Sequence, residues 1–335
     1  MKFQLSLKIP PLPQPIRYTD KLLLIGSCFT EHITARLTQH KFKTLQNPNG
    51  ILFNPLSVAK SLEDYASDKS PSEGELFYVN ELWNSWDYHS CFSHIHKASA
   101  LESMKQSQQE ASAFIKDADW IVLTLGSAFH YALRKEGRRQ SGRENAESFV
   151  ANNHRAPASW FEKTMSSISE IEGALSRAMA VVAQVNPKAK FLFTISPVRH
   201  VRDGLMENSR SKARLIEAVH SLCDSDKNCF YFPAYEMLID VLRDYRYYDI
   251  DLVHPNYAAT SEVWDAFVSS CIDPEIVPIM EQVKDIEIAK NHRPRFPETE
   301  AHQGFLRIYA EKVKRLMEQF PFLDLQEELK YFLGE

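Results

Sequence analysis

"LLLIGSCFTEHITARL", residues 22–37, contains the change of pattern that decides the fold. Residues 22–25 are apolar without alternation, as in a strand buried on both faces. Gly26 stops the run, and from residue 28 to 39 the spacing becomes helical. A strand, a glycine and a helix start follow one another within seven residues.

The same unit recurs along the chain. Further short apolar runs lie at 42–45, 120–125, 191–195 and 230–232. Between them come helical patterns at 55–65, 101–116, 159–185 and 209–223. Strands alternating with helices predict an α/β fold with a doubly wound sheet. The expectation is a flavodoxin-like three-layer sandwich of about five parallel strands, with ligands at the strands' carboxyl ends near the switch point. Residues 70–98, rich in aromatics and histidine, and the polar stretch 134–158 read as insertions of short strands or loops in a main domain spanning 1–273. Residues 274–335 read as a C-terminal extension of charged amphipathic helices, broken near Pro294 and Pro297 and a candidate oligomer contact.

Composition excludes several classes. The chain has 335 residues, 44% of them apolar, enough for a large core. A net charge of -5, a pI near 6.2 and the lack of a basic tail argue against a nucleic-acid partner. No run of about 18 apolar residues points to a membrane span. Five cysteines, an odd number without zinc spacing, read as reduced thiols in a cytoplasmic protein. Prolines at the N-terminus precede any apolar stretch of signal length. No phosphate-loop or dinucleotide fingerprint occurs, and "HSCFSHIHK" (89–97) lacks metal-ligand spacing, so neither cofactor nor metal is expected.

The chemistry starts at Ser27. A nucleophile just past a strand, at a helix N-terminus, points into the cleft, and free N–H groups and the helix dipole there favour an oxyanion. Serine is also a favoured N-cap, which explains the position equally well. A base is offered by "YYDIDLVHPNYAAT" (247–260). Asp251 and His254 are spaced so that the carboxylate supports the imidazole on a loop after the last strand. Cys28 is the internal competitor, because a thiol at a helix start can be activated. Buried cysteine more often packs as a small apolar residue. His89, His130, His154 and His200 fall near expected strand ends. Arg199, His200, Arg202 and Lys212 suit an anionic or sugar-like ligand. Trp83 and Trp86 would stack on a ring or form a core for the insertion.

"LIGSCFTEHI" and "DLVHPN" resemble the first and last blocks of the SGNH/GDSL-type hydrolases. Gly26-Ser27-Cys28-Phe29-Thr30 more closely resembles the string that names the GSCFA family. "NPNGILFNPLS", "WNSWDYHSCFS", "LTLGSAFHY", "SPVRHVRDGLMENSRSKARL" and "LRDYRYYDIDLVHPN" extend the likeness from about residue 20 to 270. The resemblance implies Ser27 as nucleophile, His254 as base and Asp251 as its supporting acid. It implies an oxyanion hole from the backbone of Ser27 or Cys28 and from Gly50. Apart from the resemblance, substrate contacts are expected from Asn49, His89, Gly126, His154, His200, Asn208 and Lys212. The third SGNH block departs: Gly126-Ser127-Ala128 stands where an asparagine is expected. Ser127, Asn47, Asn49 and Asn153 are the candidate replacements for that donor. The implied activity is hydrolysis or transfer of an acyl group, such as an acetyl ester of a carbohydrate. The competing reading is a binding module on the same fold.

Overall fold

A computed structural model describes residues 5–142 and 149–335. The central sheet is formed by β1 (Lys21–Gly26), β2 (Lys43–Gln46), β3 (Trp120–Leu125), β4 (Lys190–Ile195) and β5 (Cys229–Tyr231). All neighbours pair in parallel, in the order β2-β1-β3-β4-β5. The longer helices are α1 (Cys28–Gln39), α2 (Pro55–Ala66), α3 (Lys97–Ile115), α4 (Ile168–Val185), α5 (Leu205–Ser225), α6 (Tyr257–Cys271), α7 (Val277–Asn291), α8 (Glu300–Gln319) and α9 (Gln326–Leu333).

Side-chain alternation along each strand assigns the two faces. Leu22, Leu24, Val122 and Leu192 share a core with Phe29 and Ile33 of α1 and Val263 and Phe267 of α6. Leu23, Ile25, Leu123 and Phe193 share the other with α2 to α5. The expected three-layer α/β architecture is therefore present. The order reverses between β1 and β3, which opens a crevice at their carboxyl ends.

One expected helix is shorter than its pattern. Residues 159–185 open with a strand, Phe161–Met165, antiparallel to Phe129–Leu133, and the helix begins only at Ile168. Phe149–Val150 completes this second sheet. The other insertion contains the hairpin Leu76–Val79 with Leu82–Ser85. Residues 143–148 of the expected 134–158 loop lie outside the described residues.

The C-terminal helices bury Ile286, Val313, Leu325 and Phe332 in the same core as α1. Glu328 on α9 is wholly buried at this junction and accepts from Lys41 Nζ (2.8 Å) and Lys290 Nζ (2.6 Å). Burial opposes its charge, but the two lysines prevail and hold its carboxyl at about 2. Among the described residues no helix is long and apolar enough to cross a membrane.

Breaking this cluster removes the buried carboxylate that two half-buried lysines share. Glu328→Gln is expected to lower unfolding free energy by about 3 kcal/mol at pH 7, read by urea denaturation. A carboxyl held low stabilises above its unfolded value and loses that contribution as pH falls toward 2. The gap between wild type and variant should therefore close on acidification. An unchanged urea midpoint at pH 7 would refute the assignment.

Candidate active site

Ser27 is placed by backbone bonds from both neighbouring strands. Gly26 N–H donates to Asn47 Oδ1 (2.9 Å), just past β2, and Ser27 N–H donates to Thr124 O (3.2 Å) in β3. Gly26 is required by contact: a Cβ there would lie 2.7 Å from both Thr124 Cβ and Thr30 Oγ1. Ser27 caps α1, its Oγ accepting from Phe29 N–H (3.3 Å), and only 5% of the residue is exposed. The capping role and the cleft position thus coexist.

Asp251 and His254 form the expected pair. Asp251 Oδ2 lies 2.6 Å from His254 Nδ1, while Oδ1 accepts from Val253 N–H (2.9 Å) and His254 N–H (3.0 Å). These bonds, the His254 backbone N–H foremost, hold the Asp251 carboxyl at about 2. The carboxylate therefore fixes the ring with Nε2 pointing away. Arg199 N–H donates to Val253 O (3.3 Å), joining this loop to the one after β4, and the Arg199 guanidinium lies over the Tyr248 ring (4.2 Å).

Cys28 departs from the inward packing expected of it, being partly exposed while Ser27 is buried. Burial and then Glu31 push its thiol pKa up, which disfavours the thiolate.

Several expected donors are already engaged. Gly50 N–H closes a turn onto Asn47 O (2.7 Å), and Ser27 N–H is used by Thr124, so neither is spare for an oxyanion. The Ser127 hydroxyl accepts from Phe129 N–H (3.1 Å) and lies 3.3 Å from Ser211 Oγ, while its N–H donates to Phe53 O (3.2 Å). Asn49 uses both ends of its amide, Oδ1 accepting from Tyr65 Oη–H (2.7 Å) and Nδ2 donating to Asp87 O (3.0 Å), and so fastens the 70–98 insertion. His154, from the 134–158 insertion, is buried against the 70–98 insertion with Nε2 on Ser85 O (2.7 Å), and burial lowers it to about 4. These polar groups are engaged within the protein.

Others converge on the crevice. His200 lies with its ring tilted against Phe53 (5.5 Å) and its Nε2 3.5 Å from where a Gly126 Cβ would sit. Its N–H donates to Asn208 Oδ1 (2.9 Å), so Asn208 positions this loop. Burial and then Lys212 hold His200 at about 4, hence neutral. His89 lies on the insertion, its N–H on Asn49 O (2.8 Å) and its side chain against Gly50. Lys212 lies under the site and not in it: it is 1% exposed and donates to Gly126 O and Ser196 O.

A model of the GSCFA family matches residues 21–267, and a model of the C-terminal domain of GSCFA domain proteins matches residues 283–335. The chain belongs to the GSCFA family. No curated protein matches it. The first family segment contains Ser27, Asp251 and His254, and the second contains Glu328, so the buried Lys41–Glu328 contact joins the two matched segments.

Asn47 is the site residue that the motifs rank too low. It is 8% exposed, and its Oδ1 is fixed by Gly26 N–H. Its Nδ2 is buried with no partner among the described residues. A buried unpaired amide beside a candidate nucleophile needs an acceptor. The sequence signal is its place directly after β2, three residues before Gly50 in "NPNG".

Gly26→Ala should push β1 and β3 apart at this edge. The expected cost is about 1–3 kcal/mol, measured by chemical denaturation. A midpoint equal to wild type would show that the close approach is not real.

Proposed function

We propose that this chain is a serine-dependent ester hydrolase or acyltransferase of SGNH-like type. The observation that carries the reading is the Asp251–His254 hydrogen bond on the loop after β5, in a chain whose Ser27 caps the helix after β1. In this reading His254 Nε2 takes the Ser27 proton while Oγ attacks the ester carbonyl carbon. Asp251 stabilises the imidazolium through Nδ1. Collapse of the tetrahedral adduct expels the alcohol, which receives the proton from His254. Water or a second hydroxyl then resolves the acyl-enzyme.

The oxyanion donors in this reading are Cys28 N–H, in the first turn of α1, and Asn47 Nδ2. Asn47 then fills the role that the SGNH resemblance gives to a third-block asparagine, from a different strand. The raised Cys28 thiol supports serine over cysteine as nucleophile. The substrate class we favour is a small acyl ester of a carbohydrate or other small molecule, by analogy with that fold.

The test combines fluorophosphonate labelling with p-nitrophenyl acetate turnover. Ser27→Ala and His254→Ala should each lower turnover by about 10⁴-fold or more, and Ser27→Ala should abolish labelling. Asn47→Ala should lower kcat by roughly 10²–10³-fold with little change in KM. Labelling that survives Ser27→Ala would refute the serine assignment and, if it sits on Cys28, favour a thiol nucleophile; a wild type that neither labels nor turns over would refute the reading and favour a binding module.

A further inference from the structure

Lys212 is an energetic anomaly. It is 1% exposed, and its Nζ donates to Gly126 O and to Ser196 O, both at 2.6 Å. These are the first carbonyls beyond β3 and β4, at the carboxyl edge that holds Ser27. Among the described residues it forms no ion pair with a carboxylate, and Cys28, next to Ser27, is a neutral thiol where Lys212 titrates. A buried cation without a counter-ion costs several kcal/mol, and an apolar residue of similar volume would fill the space at no such cost. Two carbonyls satisfy hydrogen bonds but do not neutralise the charge.

We propose that Lys212 is a positioning residue of the Ser27 site: its ammonium ties the ends of β3 and β4 together and supplies the buried positive charge against which negative charge develops at Ser27. The proposal rests on the serine-ester reading above. In a low-dielectric interior such a charge acts strongly on an oxyanion and is screened little by salt. It also disfavours protonation of His200, whose ring lies by Gly126. A lysine on an amphipathic helix ordinarily reaches water, whereas this one turns inward from α5, the helix that also carries Asn208 and Ser211.

The surrounding titratable groups give the sign of the pH effect. Cys28 on α1 and Tyr235 after β5, whose ring centroid is 5.9 Å from Nζ, are both raised by burial, and His200 on the loop after β4 is lowered to about 4. Near neutrality all three are uncharged. His254, Lys163 and Asp203 lie beyond, around His200. Burial lowers Lys212 itself to about 7. Its charge is thus present below that value and lost as pH rises through it, so the rate of Ser27 acylation should fall on the alkaline side.

The experiment measures fluorophosphonate labelling rates from pH 5.5 to 9.5 in wild type, Lys212→Met, Lys212→Arg and Ser27→Ala, with folding checked by circular dichroism. Wild type should show an alkaline limb near 7. Lys212→Met should label at least 50-fold more slowly at pH 6.5, without that limb. Lys212→Arg should keep a measurable rate with the limb moved beyond 9. A folded Lys212→Met that labels at the wild-type rate, or that keeps the wild-type limb, overturns the proposal. If the methionine variant does not fold, a limb at the same pH in wild type and Lys212→Arg overturns it. Labelling that persists in Ser27→Ala would instead fail the serine reading.

Discussion

The site depends on how the backbone of residues 26 and 27 is held between two strands. Gly26 N–H is taken by the Asn47 side chain on the β2 side, and Ser27 N–H by Thr124 O on the β3 side. Successive N–H groups of a strand point to opposite neighbours, so this arrangement continues the parallel ladder one step past its regular end. It is possible because Gly26 carries no side chain against Thr124 and Thr30. Two consequences follow from the one constraint. Ser27 is delivered to the helix N-terminus in a fixed direction, and the Asn47 amide is oriented with its oxygen toward Gly26 and its NH₂ left buried without a partner.

The electrostatics around this edge are lopsided. The histidine in the crevice, His200, is held neutral, and the only cation buried under the floor is balanced by carbonyl dipoles alone among the described residues. With the α1 N-terminus and the Asn47 NH₂, positive potential accumulates where a serine-derived oxyanion would form. The carboxylate of the site, Asp251, stands on an exposed loop behind His254 and is ionised well below neutrality. In the proposed reaction its charge meets Nδ1 of His254, which leaves Nε2 for the Ser27 proton.

Much of the fold was legible because parallel strands bury both faces. The runs at 22–25, 120–125 and 191–195 are apolar but for the buried Thr124 and Thr194, and no other local pattern competes with them. The second sheet was hidden for the opposite reason. Phe161–Met165 exposes Glu162, Lys163 and Thr164, and its polar residues merged with the helical pattern that follows. Among the candidate site residues, the Asp251–His254 hydrogen bond could be read because the two lie three residues apart on one loop. The allocation of backbone donors could not. Whether Gly50, Ser127 or Asn47 has a donor to spare is decided by a turn onto Asn47 O and by tertiary contacts to Phe53 O and Gly26 N–H. Lys212 was misread for a related reason: α5 is amphipathic, and nothing local tells which of its cations faces inward.

The central claim is geometric, that Ser27, Asn47 and His254 converge on one reacting atom. A crystal structure of the protein after reaction with a small alkyl fluorophosphonate tests it directly. The account predicts phosphorus bonded to Ser27 Oγ, the phosphoryl oxygen within about 3 Å of Asn47 Nδ2 and Cys28 N–H, and His254 Nε2 facing the leaving-group side. An adduct on another residue, or a phosphoryl oxygen turned away from Asn47 toward Gly50 or Ser127, would contradict it.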